Sequence, residues 1–156
     1  GEMKVLMDDS DIFTVRDVLE VIKRCESPKR LEILVERLSK EQYRDDVVKA
    51  LGELKDPDAI PAMVEAMRFD TWRTIDKHLI AFGEPAESYV IQQLGSGDAD
   101  IRRRACDILA EIGTQESLKA FRKLPADPSF SVRNAANNAM RAIQNRSRLA
   151  VDKEKS

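Results

Sequence analysis

The chain has 156 residues, about one domain's worth and enough to bury a core. Hydrophobic residues make up 42%, charged residues 35% and aromatics only 5%, with a formal net charge of −2. So few aromatics weigh against a sheet protein, the charge balance lacks the basic excess usual in nucleic-acid binders, and no apolar run approaches the roughly 20 residues of a membrane span.

The start, Gly1-Glu2-Met3-Lys4, lacks the basic-then-apolar pattern of an export signal. Gly1 and Glu2 read as an addition ahead of a natural Met3, or the chain as a fragment of a longer one. Residues 1–13 are expected to be an N-terminal extension, and Lys4 to Met7, the lone strand candidate, is too short to hold. A cytoplasmic location is expected. Cys25 and Cys106 both fall in amphipathic helical patterns and read as small buried hydrophobes, since a disulfide does not suit a reducing compartment.

An internal period of about 28 to 31 residues organises the rest. A weak first copy begins at Val15-Arg16 and carries Val18, Leu19 and Ile22, with a second helix started by Ser27-Pro28. The segments from Tyr43 to Leu54, Ile101 to Ile112 and Val132 to Ile143 each open on an apolar residue followed by an arginine (Arg44, Arg102, Arg133), then carry apolar or small residues at helical spacing. The copy from Thr71 to Phe82 departs from this, with Trp72 where the others have arginine. Sharp breaks follow. Asp56 and Thr114 suit N-caps, Pro57 and Pro85 the first helical turn, and Gly83 and Gly113 a left-handed helix end. Second helices are predicted from Asp58 to Met67, Ala86 to Leu94 and Gln115 to Leu124, with loops at 95–98 and 124–128. The repeat domain is expected over residues 14–146, with a polar C-terminal tail at 147–156.

The run Asp100-Ile101-Arg102 through Ala105, Leu109, Ile112 and Gly113, followed by a short helix ending in leucine, resembles a HEAT repeat. It is similar to the short class known from phycobilisome bilin lyases, and the resemblance covers roughly residues 14 to 144. It implies an all-α fold: an α–α superhelix, or solenoid, of about four to five HEAT-like helix-turn-helix repeats. In it, first helices lie on the convex side and second helices on the concave side. It is specific for the fold and says little about function, because proteins of this fold include scaffolds, bilin lyases, a class of DNA glycosylases and deoxyhypusine hydroxylase.

No catalytic, cofactor-binding or metal site is expected. His78 is the one histidine; it cannot build a metal cluster alone, and the His-Glu pairs that hold iron in deoxyhypusine hydroxylase are missing. Nucleophilic constellations lack a second base, and Gly95-Ser96-Gly97 follows no strand and precedes no Lys-Ser/Thr, so it is no phosphate cradle. Asp8-Asp9, Asp45-Asp46 and Asp98-Asp100 suit helix N-terminal charge. Arg102 is expected to bond a neighbouring turn, at a residue such as Asp70, leaving Arg103 and Arg104 as an exposed pair on the convex side.

The function expected is protein–protein interaction as a non-catalytic scaffold module. Glu65 and Arg68, then Tyr89, Gln92 and Gln93, then Lys119, Arg122 and Lys123 would run along the concave face from acidic to basic, toward a partner with an acidic segment. Trp72 packs between units or serves as a partner anchor. The alternatives are a bilin-lyase-like or chaperone-like helper holding a chromophore or client and, last, nucleic-acid binding through basic helix surfaces.

Overall fold

The computed structural model describes residues 20–22, 24, 29–38, 40–69 and 74–155. The strand candidate at Lys4 to Met7, the start of the weak first copy, Cys25, Ser27-Pro28, Asp70 and Trp72 lie outside the described residues, though Ile22 is described and buried. All regular structure among the described residues is helical.

The chain divides into two compact units, Gly1–Ala81 and Phe82–Ser156. In the first, α1 (Lys29–Arg37) packs on α2 (Arg44–Leu54), and a 3₁₀ turn at Pro57–Ala59 leads into α3 (Ile60–Ala66). Asp56 caps that turn, its Oδ1 accepting from the Asp58 N–H at 3.1 Å, and Pro57 needs no N–H at that position. Helix α4 (Thr74–Phe82) follows. Ile33 and Leu34 of α1, Val47 and Leu51 of α2 and Ile60 and Met63 of α3 are buried. Gly52 lets His78 of α4 lie against α2: a Cβ at Gly52 would stand 2.0 Å from His78 Nδ1. Burial holds the His78 imidazole below its usual range against the opposing pull of Glu53.

The second unit contains α5 (Glu84–Gln93), α6 (Ala99–Ile112), α7 (Gln115–Lys123) and α8 (Phe130–Glu154). First helices α6 and α8 pack most extensively on one another; α5 packs on α6, α7 on α8, and α5 on α7. This is the row-wise burial that a single helix pair cannot achieve alone. Ile101, Ala105, Ile108 and Leu109 of α6 are buried, as the periodicity requires, together with Leu118 and Phe121 of α7 and Val132, Ala139 and Ile143 of α8.

The two helix-ending glycines differ. Gly83 has φ of +70°, the left-handed region expected of it. Gly113 does not: its backbone is extended (φ −63°, ψ 145°). Its lack of a side chain serves close approach instead, since a Cβ there would meet Leu109 O at 2.5 Å and Ile143 Cδ1 at 2.7 Å. Helix α8 runs on to Glu154, through most of the stretch 147–156 set apart as a tail. Arg146 holds it in place by donating to the carbonyls of Ala110 and, at 2.8 Å, Gly113, where the α6 dipole is negative. Among the described residues no helix is long and apolar enough to cross a membrane.

Candidate protein-binding face

The repeat arginines fasten loops. Arg44 donates through Nε to Leu38 O at 3.0 Å and through Nη1 to Phe69 O at 2.9 Å. Arg102 does the same one step on: Nη1 to Ser96 O at 2.8 Å, and Nε and Nη2 to the two oxygens of Asp127 at 2.7 and 3.1 Å. Arg133 reaches back to Asp127 O at 2.6 Å and Pro128 O at 2.9 Å. In each case one partner lies six residues back; for Arg44 and Arg102 the other lies 25 ahead. One planar fork thus ties the loop before a first helix to the loop after the following second helix. The partner of Arg102 is Asp127 rather than Asp70, and the Arg102 guanidinium holds the Asp127 carboxyl below the usual carboxylate range.

The expected exposed pair at Arg103 and Arg104 is not there. Arg104 is buried at 1% exposure, and Arg103 is engaged by Asp100 at 2.7 Å and Asp107 at 3.1 Å. The reason is register: residue 104 falls on the same helical face as Ile101, Ala105 and Ile108. No buried side-chain nitrogen or oxygen lacks a hydrogen-bond partner among the described residues. The densest basic run of the sequence is therefore used within the fold and offers no row of phosphate contacts.

Sequence reasoning missed Glu87. It is 5% exposed, lies on α5, and its carboxylate takes the N-terminus of α7: it accepts from the Thr114 N–H at 2.7 Å, Thr114 Oγ1 at 3.0 Å, the Ser117 N–H at 3.1 Å and Ser117 Oγ at 2.5 Å. A capping box uses a Glu three residues past the cap; here that position is Ser117, and the carboxylate comes from the preceding second helix. Burial alone would raise the Glu87 pKa, but the hydrogen bonds from Ser117 and Thr114 outweigh it and hold the pKa below its ordinary value. The one signal in the sequence is a glutamate inside the otherwise apolar stripe of Ala86, Val90 and Leu94.

The expected contact residues fall in both units. Glu65 and Arg68 belong to the first, where they pair with each other at 2.8 Å beside Phe69, over which the Arg68 guanidinium stacks at 4.6 Å. Tyr89, Gln92 and Gln93 on α5 and Lys119, Arg122 and Lys123 on α7 belong to the second, on two helices that pack together. Tyr89, Gln92, Lys119, Arg122 and Lys123 are exposed and Gln93 half-buried. Lys119 pairs with Glu116 at 2.6 Å; Arg122 and Lys123 make no ion pair with a described residue. Trp72 lies outside the described residues.

Cys106 is 1% exposed, and burial, with Asp107 and Asp127 nearby, pushes its thiol up to about 12, which leaves it protonated and a poor nucleophile. No group of three His, Cys, Asp or Glu side chains among the described residues could hold a metal ion.

Comparison with known families follows the same division. Residues 87–152 match the family of HEAT repeats, and residues 43–69 match the PBS lyase HEAT-like repeat. No curated protein matches the chain. With matching repeats in both units and helix pairs built on one arginine-clamped plan, the chain is a HEAT-like repeat protein, an all-α solenoid in class.

Proposed function

We propose that the chain is a non-catalytic protein-interaction module whose binding surface is the exposed side of its second helices, centred on Tyr89, Gln92, Arg122 and Lys123. HEAT repeats generally mediate protein–protein interaction or scaffolding. The observation that carries the reading is the contrast between positions on α5 and α7. Gln92 and Lys123 stand 31 residues apart, the same interval that separates Arg102 from Arg133. They are exposed and chemically different, whereas Val90 and Phe121, at the same interval, are both buried and apolar. Stacking keeps a position apolar and leaves these polar positions to differ, so partner choice resides there. Tyr89 adds an exposed aromatic on α5, and α7, which packs on α5, carries two cations that have no described partner; Tyr and Arg are common interface anchors. The cations favour a partner with an acidic segment. A reducing, cytoplasmic setting belongs to the same reading and suits the free buried thiol of Cys106.

Site-specific photo-cross-linking tests it. A photoreactive residue at position 89 in the full chain, in native cells, should capture a protein partner that the same residue at exposed position 141 of α8 does not. Capture from position 141 with none from position 89 would put the binding face on the first helices.

A further inference from the structure

Between α6, α7 and α8 lies an open groove of about 540 Å³. Phe121 of α7, Leu124 just past its end, and Val132, Ala136 and Met140 of α8 contribute to its apolar lining. The α8 residues recur every fourth position over about two helical turns, roughly 12 Å. Leu124 is 42% exposed, an apolar surface left to solvent at the groove's edge. The charged lining has a net positive balance. Arg102, Asp127 and Arg133 all face it, but the carboxylate is already held by Arg102, and Arg133 bonds the loop carbonyls through Nη1 alone. Arg122 and Lys123 adjoin it in the chain, without ion-pair partners among the described residues.

We infer that this groove docks an acidic amphipathic helix of a partner protein. The inference rests on the reading of the chain as a protein-binding module and names the partner's chemistry. An apolar stripe two turns long accepts anchors at i, i+4 and i+7 of a helix. Arg133 in the lining, with Arg122 and Lys123 next to Phe121 and Leu124 in the chain, complements carboxylates on the partner's polar side and disfavours a basic one. A second copy of this chain is less well matched: its exposed apolar segment around Leu149 and Val151 carries three cations (Arg146, Arg148 and Lys153) against two carboxylates (Asp152 and Glu154).

The experiment is selection from a displayed library of random helix-forming peptides, about three to four turns long, on the full chain. Enriched peptides should carry net negative charge with apolar residues at i, i+4 and i+7, and should shift the Met140 methyl resonance. Their affinity should fall on the order of tenfold with Ala136→Glu and weaken with salt. Leu124→Ala, at an exposed position that does not threaten the fold, should also weaken binding and serves if Ala136→Glu does not fold. No enrichment, enrichment of neutral or basic peptides, or affinity unmoved by Leu124→Ala overturns the inference. So does self-association of the chain that Leu124→Ala abolishes, which would make a second copy the occupant. Cross-linking from position 89 without acidic-peptide binding would remove the groove assignment alone. Peptide binding in the groove without that cross-link would instead move the proposed face away from Tyr89 and α5.

Discussion

The Glu87 carboxylate accepts the Ser117 hydroxyl at 2.5 Å across the packing of two successive second helices. It also takes the Thr114 N–H, so one buried side chain closes the N-terminus of α7 from outside that helix. A carboxylate kept ionised in the fold contributes stability that is present above its unfolded pKa and lost as pH falls through the depressed folded value. Glu87→Gln should therefore cost about 2 kcal/mol at neutral pH, on the scale of hydrogen bonds to a charged group. The difference from wild type should shrink below the ordinary carboxylate range, near about pH 3. Urea unfolding at both pH values measures this; a constant difference would mean the charge of Glu87 is immaterial.

Arg102 should be structural. Arg102→Ala frees the loops at Ser96 and Asp127 together and should lower Tm while leaving partner capture intact in protein that stays folded. Arg102→Lys should not restore it, because a lysine cannot span both loops with one planar fork. A double-mutant cycle with Asp127→Ala checks the pairing; additive effects would show that the two side chains do not act together.

Gly52 and His78 should be coupled with opposite signs. In a helix interior alanine is favoured over glycine by about 1 kcal/mol, yet at position 52 its Cβ would meet the His78 ring. Gly52→Ala is expected to destabilise the wild-type chain and to stabilise His78→Ala by up to about that amount. Thermal unfolding of the four proteins decides it, and stabilisation in both backgrounds would mean that His78 moves aside freely.

Leu109 is fully buried in the α6 stripe. Leu109→Ala should cost roughly 2–5 kcal/mol, and a loss under about 0.5 kcal/mol would mean that the stripe does not pack as described.

Much of the fold was legible because stacked repeats write the same physics several times. The recurrence of Arg44, Arg102 and Arg133 after an apolar residue marked the helix starts, and Asp56 and Thr114 marked the turns. What was not legible depended on partners distant in the chain. The identity of Arg102's acceptor required knowing that the loop 25 residues ahead folds back. Arg103 and Arg104 look alike as sequence, and only the register of α6 separates an ion-paired surface residue from a buried one. Glu87 capping Thr114 is a tertiary event with no local motif. Gly113 looked like a left-handed helix end but answers to crowding by Ile143. The expected face was legible in a local sense: the exposure of Tyr89, Gln92, Arg122 and Lys123 follows from helical periodicity, and the ion pairs that occupy Lys119 and Arg68 join each to a glutamate three residues back.

The most direct test of the proposed face is charge reversal at Arg122 and Lys123 together, beside the same change at Arg141 on α8. The three residues are exposed, so each variant should fold as wild type does. Affinity for the partner captured from position 89 is then measured across a range of salt. Arg122→Glu with Lys123→Glu should weaken binding on the order of tenfold or more and flatten its salt dependence, while Arg141→Glu changes neither. Unchanged affinity and salt dependence in the double variant, with loss of binding in Arg141→Glu, would contradict the assignment of binding to the second helices.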